Sequence, residues 1–566
     1  MRASHGWGGL RLRAVSSPFD WRLPYDSRRQ PVLGSCAVAT SQPLAAQAGL
    51  EMLRRGGSAA DAAVATAAAL TVLEPTTNGI GGDAFALVWD GKSVHGLNGS
   101  GRSPAGLRRE HILGATYPTR GWLPVTVPGQ VDAWAKLHQR FGRLTFAELF
   151  EPAIAAARDG YLLPPNTAEL WARAAPSLSM GHSHAVDWAA AFLPAGSAPT
   201  AGQRIVLNDH ASTMEAIAAS GGRDFYEGAL AGRILAHSVS TGGLLVRDDL
   251  AQHTSDWVEP ISVSYRDYRL HEIPPNGQGI AALIAIGILR QFPLGELDPD
   301  CPDAAHLGIE AIKLGFAQAH AHVADPTHME RTTAELLDDA HLTRLAKRID
   351  PNRAQLFDAG IPKPGGTVYL CAADCDGMMV SFIQSNYTGW GSGIVVPGTG
   401  IALQNRGACF SLAAGHPNEA GPLKRPYHTI IPAMLTRDSA DGAMEAAMAF
   451  GVMGGFMQPQ GHVQVTSRVV DHHQNPQAAI DAPRWQWLRG VQVQVEPAGA
   501  SPRVRGSDPA CDRSESLVAA LRALGHDASL ADSRSVTFGR GQAIWRLDGG
   551  YCAGSDSRAD GQAVAL

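Results

Sequence analysis

Residues 362–386 read PKPGGTVYLCAADCDGMMVSFIQSN, and they join a turn-forming stretch to a β-hairpin. TVYLCAA and MMVSFIQS are runs of apolar, β-branched and aromatic residues, and the DCDG between them, with Asp376-Gly377, is hairpin-turn chemistry. Upstream, residues 351–366 carry three Pro and three Gly and read as an exposed linker. A flexible Gly-Gly pair therefore feeds directly into a buried-type strand whose first residue is Thr367. Such a junction suits an N-terminal nucleophile. A Thr hydroxyl is a weak nucleophile that needs a base beside it. Cutting the Gly366–Thr367 bond creates one, because a free α-amino group titrates at about 7.7–8.0, near working pH. On spacing alone the same residues are also ordinary turn chemistry ahead of a strand.

Outward from that junction, the 566 residues allow three to four domains or one large α/β unit. The net charge of −6 argues against a basic nucleic-acid footprint and a polybasic membrane surface. Charged residues are 18% against a usual ~25%, and hydrophobic residues are 45%, which suits a large core and excludes wholesale disorder. The 62 Gly and 36 Pro have no period and imply many tight turns. The seven Cys (Cys36, Cys301, Cys371, Cys375, Cys409, Cys511, Cys552) include no C-x-x-C, so neither a disulfide framework nor a zinc knuckle is indicated. The N-terminus has no apolar run of signal-peptide length, and the apolar stretch Ala62–Leu73 is too short to span a bilayer. The expectation is a soluble, cytoplasmic protein.

Residues 1–35 read as an irregular arm. A short strand at 37–40 precedes a helix capped by Ser41 and stopped by Gly56, and a second helix starts at Ser58 with Asp61 in a capping-box pair. Its body, AAVATAAALTVL, is small and apolar all round, as a buried helix is. The loop Gly79, Gly81, Gly82 leads into a strand at 84–89, so it is no phosphate loop, which would precede a helix. Helical periodicity runs through 129–160, 208–236, 301–324, 333–348, 459–473 and 515–524. GIALQN, TIIPAML, AAMAFG, VQVQVEP, SVTFG and AIWRL read as strands, making the last third sheet-dominated.

Several long blocks occur in order: TSQPLAAQAGLEMLRRGGSAADAAVA, EPTTNGIGGDAFALVWDG, VTVPGQVDAWAKLHQRFG, GGTVYLCAADCDG, GSGIVVPGTGIALQNR, MGGFMQPQGHVQV and AIDAPRWQ. Together they resemble the γ-glutamyltranspeptidase family, from about residue 32 to near the C-terminus. The resemblance implies an α/β fold, the αββα four-layer sandwich of N-terminal-nucleophile hydrolases. It implies a proenzyme that cuts itself into a large subunit, 1–366, and a small subunit, 367–566, which stay associated. Thr367 matches the nucleophile, and Gly366–Thr367 the self-cleavage bond. Gly454 and Gly455 match a Gly-Gly pair whose backbone N–H groups stabilise the oxyanion, a role that suits glycine because bare backbone can approach a developing O⁻ closely. Asn386, with Gln384 and Ser385 beside it, stands at, or one residue before, a substrate-holding Asn. His428 and Thr429 stand where glutamyl-specific members carry Ser-Ser; His428 either binds substrate or hydrogen-bonds a loop.

The chain departs from the glutamyl-specific pattern at its charge partners. The Arg that holds the substrate α-carboxylate is matched by Ser100, with Arg102 two residues on. The Asp that holds the α-ammonium is matched by Cys409, and Arg406 replaces a polar amide. The second Thr of the usual Thr-Thr start is Val368. A buried zwitterion needs a partner at each end, so these changes favour an anionic substrate without the ammonium. They resemble the amidohydrolase and acylase branch, which implies a small oxamate-like or acyl-amide substrate handled through an acyl-enzyme without cofactor or metal. The alternatives are a γ-glutamyltransferase or glutathione hydrolase, with Arg102 reaching back into the pocket, and a non-catalytic relative that keeps the fold. Two further groups, His320/His322 with Asp325 and His328, and Asp471-His472-His473, read as structural: His320 and His322 at i, i+2 do not share a helix face. No G-x-S-x-G elbow occurs.

Overall fold

The computed structural model describes residues 29–180, 184–357, 365–439, 442–497, 510–532 and 535–566. Most of the N-terminal arm (1–28) and the middle of the linker (358–364) lie outside them. Fourteen strands build two seven-stranded sheets. In chain order they are β1 (Val32–Gly34), β2 (Ala37–Thr40), β3 (Asp83–Trp89), β4 (Val94–Gly99), β5 (Asp256–Val258), β6 (Ile261–Tyr265), β7 (Tyr268–Glu272), β8 (Gly366–Ala373), β9 (Met379–Tyr387), β10 (Ala433–Asp438), β11 (Met444–Met453), β12 (Arg540–Leu547), β13 (Gly550–Ser555) and β14 (Gln562–Ala565). The first sheet runs β14-β2-β8-β9-β3-β4-β5 and the second β1-β13-β12-β11-β10-β7-β6. Neighbours within each are antiparallel.

Strand periodicity sorts the side chains into layers. Along β8, Val368, Leu370 and Ala372 face a helical core, while Tyr369, Cys371 and Ala373 face the other sheet. In β3, Ala84, Ala86 and Val88 alternate with Phe85, Leu87 and Trp89 in the same way. Both faces are covered, so these strands are buried throughout and show no polar face in the sequence. Tyr369, Phe85 and Leu87 meet Met434, Ala449 and Ile544 of the second sheet, giving a dry layer between the sheets.

Helices close both outer faces. On the first sheet lie α1 (Pro43–Arg54), α2 (Ala59–Leu73) and α3 (Gln130–Phe141). On the second lie α4 (Gly279–Leu289), α5 (Pro302–His322) and α6 (Met457–Val470). Every residue of α2 is buried, as its small apolar composition requires. Its capping box forms: Ser58 Oγ accepts from Asp61 N at 3.1 Å, and Asp61 Oδ2 accepts from Ser58 N at 2.9 Å. Ser58→Ala should cost about 1 kcal/mol, read as a lower urea midpoint at unchanged slope; an unchanged midpoint would deny the cap any net role.

Several local readings need correction. Gln42, not Ser41, caps α1, its side chain accepting from Ala45 N at 2.9 Å; Ser41 Oγ instead donates to Glu74 at 2.5 Å. Residues 129–160, 208–236 and 333–348 each hold more than one helix: α3 ends at Gly142 and a second helix starts at Glu151, the next stretch breaks at Gly221 and Gly228, and the last breaks at Leu337 and Asp338. GIALQN is a strand only at Ile401–Ala402. SVTFG forms no strand, because its backbone turns before β12. No helix among the described residues is long and apolar enough to cross a membrane.

Candidate active site

Thr367 sits one residue into β8, on the face that looks toward the second sheet, and is 1% exposed. The pairing shifts at this point: Gly366 opposes Tyr387, but Val368 opposes Gln384. Two residues of β9, Ser385 and Asn386, therefore stand opposite one residue of β8. Such a bulge re-aims side chains at a strand end. Gln458 Nε2 donates to Thr367 Oγ1 at 3.3 Å, while Gln458 Oε1 accepts from Ile431 N at 2.9 Å. Gln458 lies in the first turn of α6, so the Thr hydroxyl faces the N-terminal, dipole-positive end of that helix.

Gly454 and Gly455 form the tight connection from β11 to α6. Their φ angles are +131° and +61°, values open to glycine and strained for other residues. A Cβ on Gly365 would lie 3.2 Å from Gly455 Cα, so the linker backbone rests directly on this turn. Ser385 Oγ donates to the Gly366 carbonyl oxygen at 2.5 Å and accepts from Tyr387 N at 2.6 Å. Gln278 Nε2 bridges the carbonyls of Gly455 (2.9 Å) and Thr429 (2.5 Å), tying the turn to the segment carrying His428 and Thr429.

Arg406 completes this neighbourhood. It is fully buried. Its Nη1 donates to Thr429 Oγ1 at 2.7 Å, and its guanidinium lies 4.6 Å from the Tyr387 ring centroid. Nε and Nη2 are buried with no hydrogen-bond partner among the described residues. Asp83 lies near enough for the Arg406 charge to act on it: burial pushes the Asp83 carboxyl up to about 7 against the opposing pull of Arg406. Asp83 Oδ1 accepts from Gly129 N (3.0 Å), and its Oδ2 faces His428 Nε2 at 3.1 Å. Burial, with Arg406 and Arg425 nearby, holds the His428 imidazole well below its usual range. Its Nδ1 accepts from Ile430 N at 3.4 Å, so the neutral ring carries its proton on Nε2 and donates to Asp83.

The remaining sequence candidates divide by strand parity and by loop. Gln384 points to the helical side, donating to Ala67 O (2.8 Å) and Asn78 Oδ1 (2.9 Å). Asn386 also points away from Thr367, donating to Ala402 O at 3.2 Å beside the Gly79–Gly82 loop. The residue that shares the Ser385 face is Tyr387. Ser100 Oγ donates to Asn98 Oδ1 at 2.6 Å and braces a loop. Arg102 is committed to Asp325 (2.7 Å) and Leu423 O (3.1 Å), and its side chain is 41% exposed. Cys409 packs against the apolar clusters that contain Tyr387 and Tyr427. Gln458, Gln278, Asp83 and Tyr387 escape a motif-based reading. Asp83 alone carries a visible signal, as an acid opening an otherwise apolar strand.

Two other polar clusters are structural in form. His320 packs among Phe316, Tyr427 and Phe456. His306, Glu310 and His526 converge closely enough to hold a cation. However, Lys313 Nζ already sits 2.6 Å from Glu310 Oε1 and supplies that charge.

Two antiparallel sheets packed face to face between helices, with Thr367 opening a central strand, make this an αββα fold of the N-terminal-nucleophile hydrolase class. The chain belongs to the gamma-glutamyltranspeptidase family, whose model matches residues 45–566. This is a family of hydrolases and transferases made as proenzymes. The glutathione hydrolase-like YwrD proenzyme of Bacillus subtilis is 34% identical, over 94% of this chain and 98% of that one. The oxamate amidohydrolase proenzyme of Klebsiella pneumoniae is 34% identical, over 92% and 96%. Among solved structures, cephalosporin acylase from Bacillus halodurans matches with a TM-score of 0.90 and 46% identity, over 97% of this chain and 99% of that one.

Proposed function

We propose that this protein is a self-processing amide hydrolase that uses Thr367 as an N-terminal nucleophile on amides whose acyl group carries a carboxylate and no α-ammonium. The observation that carries the substrate reading is Arg406: a fully buried guanidinium with two nitrogens, Nε and Nη2, unpartnered among the described residues. Leaving charged donors unmet in a buried site is costly, whereas a carboxylate satisfies both at once. No carboxylate stands at position 409 to receive an ammonium. The relatives named as an oxamate amidohydrolase and a cephalosporin acylase agree with an acyl-amide substrate, and the glutathione hydrolase-like relative agrees with the glutamyl alternative.

In this reading processing comes first. Thr367 Oγ attacks the Gly366 carbonyl carbon, and the oxygen that becomes negative is the one Ser385 Oγ already contacts. The peptide nitrogen leaves as the α-amine of Thr367, and water hydrolyses the resulting ester. The two chains, 1–366 and 367–566, remain interleaved because β8 and β9 lie between β2 and β3 of the other chain. In turnover the α-amine takes the Thr367 hydroxyl proton as Oγ attacks the substrate carbonyl. The Gly454 and Gly455 amides, at the N-terminus of α6, hold the oxyanion. The amine product leaves with the proton, and water releases the acyl group.

N-terminal sequencing and intact mass of the purified chains test the processing step: the smaller chain should begin at Thr367, and a single uncut, folded chain would overturn it. Ser385→Ala should slow cleavage by about 10²-fold, the typical effect of losing one oxyanion donor, followed as the decay of uncut chain on denaturing gels. Cleavage at the unchanged rate would remove Ser385 from the step. Parallel assay of glutaryl, γ-glutamyl and oxamate amides tests the substrate; a clear preference for γ-glutamyl would establish the glutathione hydrolase reading instead.

A further inference from the structure

Away from Thr367, two cysteines meet where the proposed chains pair. Cys36 immediately precedes β2, and Cys375 lies in the turn between β8 and β9. The register Ala37↔Ala373 sets Cys36 opposite Asp374, one residue from Cys375 across the strand pair. Strands about 4.8 Å apart with a rise of about 3.3 Å per residue put such a diagonal pair within the Cα separations of about 4.4–6.8 Å that disulfides span. The Cys375 thiol lies close enough to act electrostatically on Cys36.

The backbone on both sides is held. Asp374 Oδ1 accepts from Asp376 N and Met378 N, both at 3.0 Å, and Asp374 Oδ2 accepts from Ala59 N at 2.9 Å. Tyr551 donates to the Asp374 carbonyl at 2.8 Å, and Leu566 N donates to the Cys36 carbonyl at 3.1 Å. Cys36 is fully buried, whereas Cys375 is exposed. Burial, reinforced by the neighbouring thiol, pushes Cys36 up to about 11. The exposed thiol is therefore the one a solution oxidant reaches first.

We infer that Cys36 and Cys375 form a reversible, redox-controlled disulfide that ties the large subunit to the small one. Its inter-chain character rests on the cleavage at Gly366–Thr367 proposed above; the bond itself does not. With a small-molecule disulfide as oxidant, the Cys375 thiolate attacks one sulfur and releases one small thiol. The Cys36 sulfur then attacks Cys375 Sγ in the mixed disulfide and releases the second. Two protein thiols are oxidised, one small disulfide is reduced to two thiols, and the two protons leave on those thiols. The buried Cys36 makes the second step the slow one.

Purified protein is equilibrated with oxidised or reduced glutathione, alkylated, and run on non-reducing denaturing gels with peptide mapping. Oxidation should convert the two subunit bands into one band of full-length mobility, and reduction should restore two. Mapping should recover a Cys36–Cys375 peptide pair lighter than its parts by two hydrogens. Cys375→Ser, a surface change that leaves the core intact, should abolish both signals, as should Cys36→Ser. Two bands after full oxidation with both thiols still alkylated, or a cross-link between other cysteines, overturns the inference. If processing fails, the reduced sample shows one band, and mapping still decides whether the bond forms.

Discussion

Thr367→Ala should leave the chain uncut and lower amidase activity by at least about 10⁴-fold, the scale on which removal of a catalytic nucleophile acts. Both consequences have one cause. In the proposed mechanism the same Oγ attacks the Gly366 carbonyl during maturation and the substrate carbonyl afterwards, and the α-amine that serves as base does not exist until the first attack is complete. The fold should survive, because the side chain occupies a strand end held by the β8–β9 pairing and loses only the 3.3 Å contact with Gln458. Denaturing gels, an amidase assay and a thermal melt together separate the outcomes. An Ala variant that still yields a chain starting at residue 367 would sink the nucleophile assignment. Thr367→Ser keeps the hydroxyl and should process and turn over at reduced rate.

Arg406→Met should lower kcat/KM for a glutaryl anilide by about 100-fold, roughly 2.7 kcal/mol at 1.36 kcal/mol per tenfold, with most of the loss in KM. The Met side chain keeps much of the volume against Tyr387 but offers no donor to a carboxylate. The matched amide with an uncharged butyryl group should change little, and that contrast distinguishes lost recognition from a damaged site. Arg406→Lys should recover only part of the activity, because an ammonium cannot replace the planar fork. Equal losses on the charged and uncharged amides would show that Arg406 merely supports the fold around Thr429 and Tyr387. In the unaltered protein the glutaryl anilide should outrun the γ-glutamyl anilide, which differs only by the ammonium.

The hairpin at residues 367–387 was legible because its two strands are buried on both faces and its Asp-Gly turn has distinctive chemistry. The small, apolar body of α2 announced a buried helix for a similar reason. Element ends were less legible. Whether Ser41 or Gln42 caps α1 depends on Glu74, which claims the Ser41 hydroxyl from 33 residues away. SVTFG has strand composition but lies where the backbone turns into β12, and tertiary position overrides propensity there.

In the candidate site Thr367, Gly454 and Gly455 were candidates through the family resemblance, and Arg406 as a departure from its pattern. Which neighbours share their space was a matter of parity and register. The pairing shift opposite Thr367 aims Ser385 and Tyr387 at the site and turns Gln384 and Asn386 toward the helices. Arg102, two residues from the position matching the family's carboxylate-binding Arg, is drawn off by Asp325, 223 residues away. Arg406, by contrast, is left with two buried nitrogens that no described residue meets. Local composition and covalent order are enough to specify a strand or a buried helix. The partner of a charged side chain is chosen only when distant segments pack, because the burial that makes an unpaired charge costly exists only in the folded chain.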